Sequence, residues 1–210
     1  MTETSEQLRA GMARQVEGYH GALAEGMPRL GWKVGINDPA AQQRLGLTGI
    51  IVGWLDGRHL IPAGSEYVPP AGARPRVEAE TAILLGADVD GGATAAEARS
   101  AIAAVAPAIE FVNAAKPLSP IEELLANDIL HDAVMLGSSV KAEAAAGLVA
   151  AGFPVAKLNG EVARVGLPGR YPDDLAEIVA HVAAVLGANG ETLRAGDWII
   201  GGSYIDPFDI

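Results

Sequence analysis

The 210-residue chain is long enough for one sizeable hydrophobic core, because half of its residues are hydrophobic and only 20% are charged. Its formal net charge of -11 argues against nucleic acid and against anionic membrane surfaces as partners, since both would repel it. The absence of cysteine excludes a disulfide framework, a thiolate nucleophile and a cysteine-based metal site. We therefore expect a globular protein whose partner is a small molecule.

The start of the chain carries no targeting pattern. Residues 1–20 are polar and mixed in charge, and they lack the apolar segment of a secretory signal peptide. No run of uninterrupted apolar residues reaches the length of about 18 that a membrane-spanning helix needs. We expect a cytoplasmic protein.

In the first half of the chain, hydrophobic spacing predicts alternating helices and strands. The first helix is predicted from apolar residues at helical spacing, and the short helix after it from a capping Asp38 and a closing Gly46. The predicted elements are a helix over 4–25, a strand over 31–36, a helix over 37–46, short extended pieces within 50–69 and a strand over 78–85.

The second half continues the alternation. The sequence TAAE at 94–97 is a capping box, and Asn159-Gly160 between two alternating runs indicates a hairpin. The predicted elements are a helix over 94–105, a strand over 108–114, a helix near 120–126, an extended segment over 133–139, the hairpin, a helix over 172–190 and a buried strand over 195–203. No linker divides them, so we expect one domain that begins with a helical segment over 1–30.

Two acidic residues interrupt the apolar pattern of the strand over 78–85. Side chains alternate along a strand, so Glu78 and Glu80 project from one face. Like charges in an apolar interior need a cation or a proton. Glu110 lies in the next predicted strand, again among apolar residues. Three converging carboxylates would form the oxygen-only site that Mg²⁺ or Mn²⁺ prefers, although a solvated strand face is the alternative.

Six segments of the chain carry a family resemblance. Together they cover about residues 31–204, and their order resembles that of the hydratase/decarboxylase branch of the fumarylacetoacetate hydrolase superfamily. The segments are GWKVG (31–35), PRVEAETAILLG (75–86), AIEFVNA (108–114), AVMLGSS (133–139), LNGEVARVG (158–166) and LRAGDWIIGGS (193–203).

The resemblance implies an α+β fold, a β-rich roll of mixed sheet with flanking helices, with residues 31–210 as the catalytic domain. It implies a divalent metal, Mg²⁺ or Mn²⁺, held by Glu78, Glu80 and Glu110, and a homo-oligomer. Lys33 matches the lysine of the G-[YW]-K-[IV]-G motif. It could bind a substrate carboxylate or, with a depressed pKa, move a proton; the alternative is a surface lysine.

The same resemblance places Gly202 and Ser203 on a substrate-contacting turn that reads G-S-L-T in the family. Ser203 could donate a hydrogen bond to a bound acid, which makes it a catalytic as well as a substrate-binding candidate. Tyr204, the next residue, could also reach the substrate. The alternatives are an ordinary turn serine and an aromatic residue that serves only packing.

The chain also departs from the family pattern. The acidic residue that the family uses in proton handling aligns with Ile51, which cannot shuttle protons. The candidates to replace it are Asp128, His131 and Asp132, and His131 is the preferred catalytic candidate because its ordinary pKa suits acid/base work. A helix-end or surface histidine is the alternative.

These residues predict a metal-dependent lyase, of hydratase or decarboxylase type, that acts on a small 2-oxo or 2-hydroxydienoic acid through a metal-stabilised enolate. The missing acid at Ile51 leaves other readings open. They are an isomerase or cyclase in a biosynthetic pathway, a C–C bond hydrolase of the acylpyruvase kind and a catalytically silent partner subunit.

Overall fold

A computed structural model describes residues 3–143, 155–166 and 174–210. The helices are α1 (Glu3–Ala24), α2 (Pro39–Leu45), α3 (Ala95–Ala101), α4 (Ile121–Ala126) and α5 (Leu175–Ala188), with 3-10 turns over Gly57–His59 and Asp128–Leu130. The strands are β1 (Arg29–Gly35), β2 (Ile51–Asp56), β3 (Leu60–Pro62), β4 (Pro75–Leu85), β5 (Ile102–Asn113), β6 (His131–Leu136), β7 (Val140–Lys141), β8 (Val155–Leu158), β9 (Glu161–Val165), β10 (Trp198–Ile200) and β11 (Phe208–Asp209).

Nine strands of the described ranges form one mixed sheet. Seven of them run in the order β2-β1-β10-β4-β5-β6-β3, while β11 pairs with β4 and β7 pairs with β5. The β1–β10 and β3–β6 pairs are parallel and the other pairs are antiparallel. Strands β8 and β9 form a separate hairpin. This architecture confirms the predicted α+β fold with a mixed sheet and flanking helices.

The two faces of the sheet have different roles. On one face, Trp32 of β1, Ile83 of β4 and Ile199 of β10 pack with buried residues of α1, α3 and α5 in the largest hydrophobic cluster. We call the opposite face, which carries Glu78, Glu80 and Glu110, the inner face. Because Lys33, Ile200, Ala82 and Ala106 are register partners in adjacent strands, all four project from this face.

Local capping follows the sequence closely. Asp38 accepts a hydrogen bond from the Ala40 amide at the start of α2, and Gly46 ends that helix with φ 67°. The capping box of Thr94 and Glu97 opens α3. In the β8–β9 hairpin, Asn159 and Gly160 have positive φ of 53° and 85°, as a two-residue turn of the predicted type requires.

Two elements have other boundaries than the sequence predicts. The helix expected over 94–105 ends at Ala101, and residues 102–105 begin β5. The reason is strand pairing, because Ile102 pairs with Leu85 and Val105 with Ile83 of β4. Tertiary contacts therefore override the helical preference of the alanine-rich segment. The strand expected over 195–203 is also shorter, since β10 covers only Trp198–Ile200. Residues 172 and 173 of the predicted late helix lie outside the described ranges.

In the described part of the chain, none of the helices combines the length and the apolar character needed to cross a bilayer.

Candidate metal centre

Three carboxylates converge on the inner face. Glu78 of β4 and Glu110 of β5 are direct partners across the antiparallel pair, and Glu80 lies two residues further along β4, opposite Ala108. One oxygen atom of each carboxylate lies within 4.8 Å of one oxygen of the other two. Glu80 and Glu110 are buried, with 5% and 1% exposure, and Glu78 is half-buried. The strand period and the β4–β5 register together produce this cluster.

Glu80 is the member of the cluster whose ionised form is the least favourable. Burial raises the pKa of Glu80 well above its ordinary value, and the charges of Glu110 and Glu78 raise it further. Its Oε2 atom accepts a hydrogen bond of 2.8 Å from the Gly202 amide, whereas its buried Oε1 has no partner among the described residues. An oxygen-only set with an unsatisfied carboxylate oxygen fits a hard divalent cation such as Mg²⁺ or Mn²⁺.

Lys33 supplies the ammonium of the site. It lies on β1 with 1% exposure, and its Nζ donates to Glu110 Oε1 and, at 3.2 Å, to the carbonyl oxygen of Ile129. Burial by itself lowers the pKa of Lys33, but the charges of Glu110 and Asp128 outweigh it and hold the pKa above its ordinary value. The geometry therefore favours a charged lysine that binds an anion over a neutral lysine that accepts a proton.

His131, the first residue of β6, contacts the same carboxylate. Its Nδ1 lies 2.7 Å from Glu110 Oε1, and its side chain is buried. A register shift between Phe111 and Val112 makes His131 the partner of Val112, two residues from Glu110 on β5. The bulge thus turns His131 to the inner face. Burial lowers the pKa of His131 below its ordinary value, although the hydrogen bond with Glu110 opposes this effect.

The segment before β6 adopts an unusual backbone. Asp128, Ile129 and Leu130 are three consecutive non-glycine residues with positive φ, at 53°, 49° and 66°. Such conformations cost about 1–3 kcal/mol each and persist where surrounding contacts hold them. Here the Ile129 carbonyl accepts from Lys33, and Asp128 Oδ1 accepts a hydrogen bond of 2.8 Å from the Trp54 amide. The turn therefore helps to fix the ammonium of Lys33.

Asp128 is a buried carboxyl beside this turn. Burial raises its pKa well above the ordinary value, while the charge of Lys33 opposes the shift. Gly53 of β2 makes room for it, because a Cβ atom on Gly53 would lie 2.6 Å from Asp128 Oδ1 and 3.1 Å from Lys33 Cγ. Ile51, at the position of the family's acid, is buried in a cluster with Ile129 and residues of α1 and α4.

The turn at Gly202 and Ser203 meets the cluster through its backbone. The Gly202 amide donates to Glu80, and its φ of 99° suits glycine. The Ser203 hydroxyl donates to the Ile205 carbonyl at 3.0 Å, and the Ser203 carbonyl accepts from Asn37 at 2.8 Å. The structure therefore brings the Gly202 amide to the carboxylates, while the Ser203 hydroxyl bonds within its own turn.

Tyr204 and Asp132 each make a side-chain hydrogen bond away from the carboxylate cluster. The Tyr204 hydroxyl accepts a hydrogen bond of 3.2 Å from Thr81, whose side chain projects from the face of β4 opposite to Glu80. The Asp132 carboxylate accepts a hydrogen bond of 2.6 Å from Tyr67. Tyr67 stacks on Phe111 at a ring-centroid distance of 4.0 Å, and Phe111 faces away from the inner face.

Several contributors were missed by sequence reasoning. Two of them, the Ile129 carbonyl and the Trp54 amide, are backbone groups. The third is the space beside Gly53, which exists because that residue has no side chain. Features of this kind do not depend on a recognisable residue type, so the sequence does not predict them. They become visible only in the pairing of β1 with β2 and in the left-handed turn.

Comparison with known proteins identifies the family. No family model matches the chain. The TodF product hydratase of Pseudomonas putida is 31% identical over 206 residues, which cover 93% of this chain and 74% of that protein. The 2-hydroxyhexa-2,4-dienoate hydratase of Comamonas testosteroni is 30% identical over 185 residues, which cover 86% of this chain and 70% of that protein.

A solved structure shares the fold. The 4-oxalocrotonate decarboxylase from Pseudomonas putida, complexed with magnesium and adipate, superposes with a TM-score of 0.81 at 22% identity, over 94% of this chain and 77% of that one. The sequence relatives, the fold and the order of the six segments agree with one another. The chain therefore belongs to the hydratase/decarboxylase branch of the fumarylacetoacetate hydrolase superfamily.

Proposed function

We propose that this chain is a divalent-metal-dependent lyase, of hydratase or decarboxylase type, that acts on a small 2-oxo or 2-hydroxydienoic acid. The observation that carries the proposal is the convergence of three carboxylates within 4.8 Å beside a buried ammonium. The names of the relatives, two hydratases and a decarboxylase, support the same chemistry.

Glu78, Glu80 and Glu110 would hold the metal ion, Mg²⁺ or Mn²⁺. When bound there, the ion supplies Lewis-acid stabilisation of the enolate charge that develops on a 2-oxo acid. The protein prepares this position by burying Glu80 and Glu110 and by orienting Glu80 through the Gly202 amide. The ligand oxygens are therefore placed before any ion enters.

Lys33 binds and orients the acid. Its ammonium can donate three hydrogen bonds, and the described residues accept two of them, at Glu110 and at the Ile129 carbonyl. The third can be donated to a substrate carboxylate. The apolar surroundings strengthen this interaction, because Ala82, Ala106 and Ile200 lie in the same register row and keep water away from the ammonium.

The remaining site assignments are part of the proposal. His131 is the acid/base candidate, supported by its burial and its contact with Glu110. Gly202 borders the substrate through its backbone, supported by its contact with Glu80. Roles for Ser203 and Tyr204 in catalysis or substrate binding stay predictions, since the Ser203 hydroxyl donates to the Ile205 carbonyl and the Tyr204 hydroxyl accepts from Thr81.

We also propose one domain, with residues 1–30 as a helical segment and 31–210 as the catalytic part, in a cytoplasmic homo-oligomer. Exposed apolar side chains on the β8–β9 hairpin support self-association. They are Val155, Leu158, Val162 and Val165. The cytoplasmic location stays a prediction, and the names of the relatives support a small organic acid as the partner.

The isomerase, cyclase, hydrolase and silent-partner alternatives are not favoured, because both sequence relatives at 30–31% identity are named hydratases.

The test of the proposed function combines two assays on metal-free and Mg²⁺-loaded protein. One follows loss of 2-hydroxyhexa-2,4-dienoate and of 4-oxalocrotonate, and the other follows deuterium entry into pyruvate in deuterated water. Mg²⁺-dependent turnover of either acid supports the proposal. Metal binding without turnover or deuterium entry would instead indicate a silent partner.

A further inference from the structure

Lys116 is a half-buried cation that the proposed function does not yet use. It lies just beyond the end of β5, and its ammonium donates a hydrogen bond to the carbonyl oxygen of His131. It makes no ion pair with a carboxylate of the described residues. Burial lowers the pKa of Lys116, and the charges of Asp128 and Asp132 oppose this effect only in part. An ammonium has three donors, so two remain for a ligand.

We propose that Lys116 binds a carboxylate at the far end of the substrate, so that the site prefers an acid that ends in a second carboxylate to one that ends in an alkyl group. The inference rests on the proposed function and deepens it, because it specifies the tail of the acid that the metal centre receives.

One end of the inner face is closed by apolar side chains. Ala82 lies two residues beyond Glu80 on β4, and it packs there with Leu55, Ala106 and Ile200. Each of these four apolar residues has at most 3% exposure. A ligand held by the carboxylate cluster has no room to extend into this packed end. Its chain therefore runs the other way, towards the start of β4 and the end of β5.

The next residues in that direction form a row across the inner face. Arg76 of β4 pairs with Val112 of β5, and Val112 pairs with His131 of β6. Arg76 and Val112 each lie two residues from the Glu78–Glu110 pair, a separation of about 6–7 Å along a strand. A short diacid bound to the metal by its first two carbon atoms has a comparable reach to its second carboxylate. Lys116 meets this row at the His131 carbonyl.

The other cation of the row already has a partner. Arg76 Nε lies 3.1 Å from Asp209 Oδ1, and Arg76 Nη2 donates to the Pro207 carbonyl at 2.7 Å. Lys116 has no comparable partner, so a substrate carboxylate would form its ion pair and satisfy a remaining donor. Hydrogen bonds between charged groups are about twice as strong as neutral ones. An alkyl end at the same position leaves the ammonium unpaired, and the site therefore favours the diacid.

The test is calorimetric binding of two acids of equal length to the Mg²⁺-loaded full chain. 2-Oxoadipate ends in a carboxylate and 2-oxohexanoate ends in a methyl group, while pyruvate has no tail and serves as the reference. We expect 2-oxoadipate to bind at least about tenfold more tightly than 2-oxohexanoate. Equal affinities for the two longer acids would overturn the inference.

Variants assign the preference to Lys116. Lys116→Gln keeps a donor for the His131 carbonyl but removes the charge, and it should bring the ratio of the two dissociation constants close to one, with pyruvate affinity unchanged. Lys116→Arg should retain the preference, as should Lys141→Met, the control for an exposed lysine on β7. A preference that survives in Lys116→Gln, or that disappears in Arg76→Met instead, would overturn the assignment.

Pyruvate binding separates this inference from the proposed function. Mg²⁺-dependent binding of pyruvate without a preference for 2-oxoadipate contradicts the inference alone. Absence of Mg²⁺-dependent pyruvate binding in the unaltered chain contradicts the proposed function, and the inference that rests on it fails as well. None of these measurements requires turnover.

Discussion

Glu78 and Glu110 face each other directly across the antiparallel β4–β5 pair. Like charges in this relationship destabilise a sheet unless a cation or a proton compensates them. Glu80 adds a third carboxylate to the pair and has a raised pKa. The sheet thus contains an unfavourable arrangement at the position where the proposed function needs a metal ion.

Removing the ammonium of Lys33 should destabilise the metal-free protein. Lys33→Met leaves the buried Glu110 carboxylate without its principal cation, and loss of one partner from a buried pair costs about 3–5 kcal/mol. Urea unfolding in EDTA measures the effect. Arg14→Met is the control, because Arg14 pairs with Glu122 and Glu123 at the surface, where solvent screens the ion pairs and their loss should destabilise the protein far less. Equal losses of unfolding free energy in the two variants would contradict a larger contribution from the buried Lys33–Glu110 pair.

A methyl group on Gly53 should disturb the left-handed turn. In Gly53→Ala the new Cβ would lie 2.6 Å from Asp128 Oδ1, so the Asp128 side chain must shift and its hydrogen bond from the Trp54 amide is disturbed. We expect a loss of about 1–3 kcal/mol in the free energy of unfolding, together with reduced activity. Gly49→Ala is the matched control on the preceding loop, since nothing lies within 4 Å of its Cβ position. Thermal unfolding and turnover of both variants check the prediction, which fails if Gly53→Ala behaves like Gly49→Ala.

Asp56 should contribute stability that is lost in acid. Burial raises its pKa, but hydrogen bonds from the Arg58 side chain and amide outweigh burial and hold the pKa below its ordinary value. A group of this kind stabilises the fold above its unfolded pKa, and the contribution disappears as the pH falls through its folded pKa. Asp56→Asn should therefore cost about 1 kcal/mol at pH 7 and little at pH values below the folded pKa. Urea unfolding of the two proteins, from pH 7 to below the folded pKa of Asp56, tests this prediction. A difference in unfolding free energy that does not change with pH would contradict it.

Part of the site follows from the sequence alone. The two-residue period of a strand is sufficient to put Glu78 and Glu80 on one face, and the alternation in AIEFVNA is sufficient to predict a strand that carries Glu110. The register that sets Glu110 opposite Glu78 is not a local property, because it depends on how β4 and β5 pair.

Other features depend on tertiary structure. The turn to β6 shows no periodicity that would reveal three left-handed residues, and the bulge that turns His131 inward appears only when β6 pairs with β5. The helix expected over 94–105 gives way to β5 for the same reason, since residues 102–105 find partners in β4. Sequence patterns therefore locate the acidic residues, and the pairing of strands determines which groups meet them.

The most direct measurement is calorimetric titration of Mg²⁺ into the metal-free protein, compared with Glu80→Gln and with Glu122→Gln as the control. Glu80 belongs to the carboxylate cluster, whereas Glu122 pairs with Arg14 at the surface. We predict one site per chain, at least about tenfold weaker in Glu80→Gln, because a neutral amide replaces a charged ligand, and unchanged in Glu122→Gln. No saturable binding to the unaltered chain, or equal affinity in all three proteins, would contradict the metal centre on which the account depends.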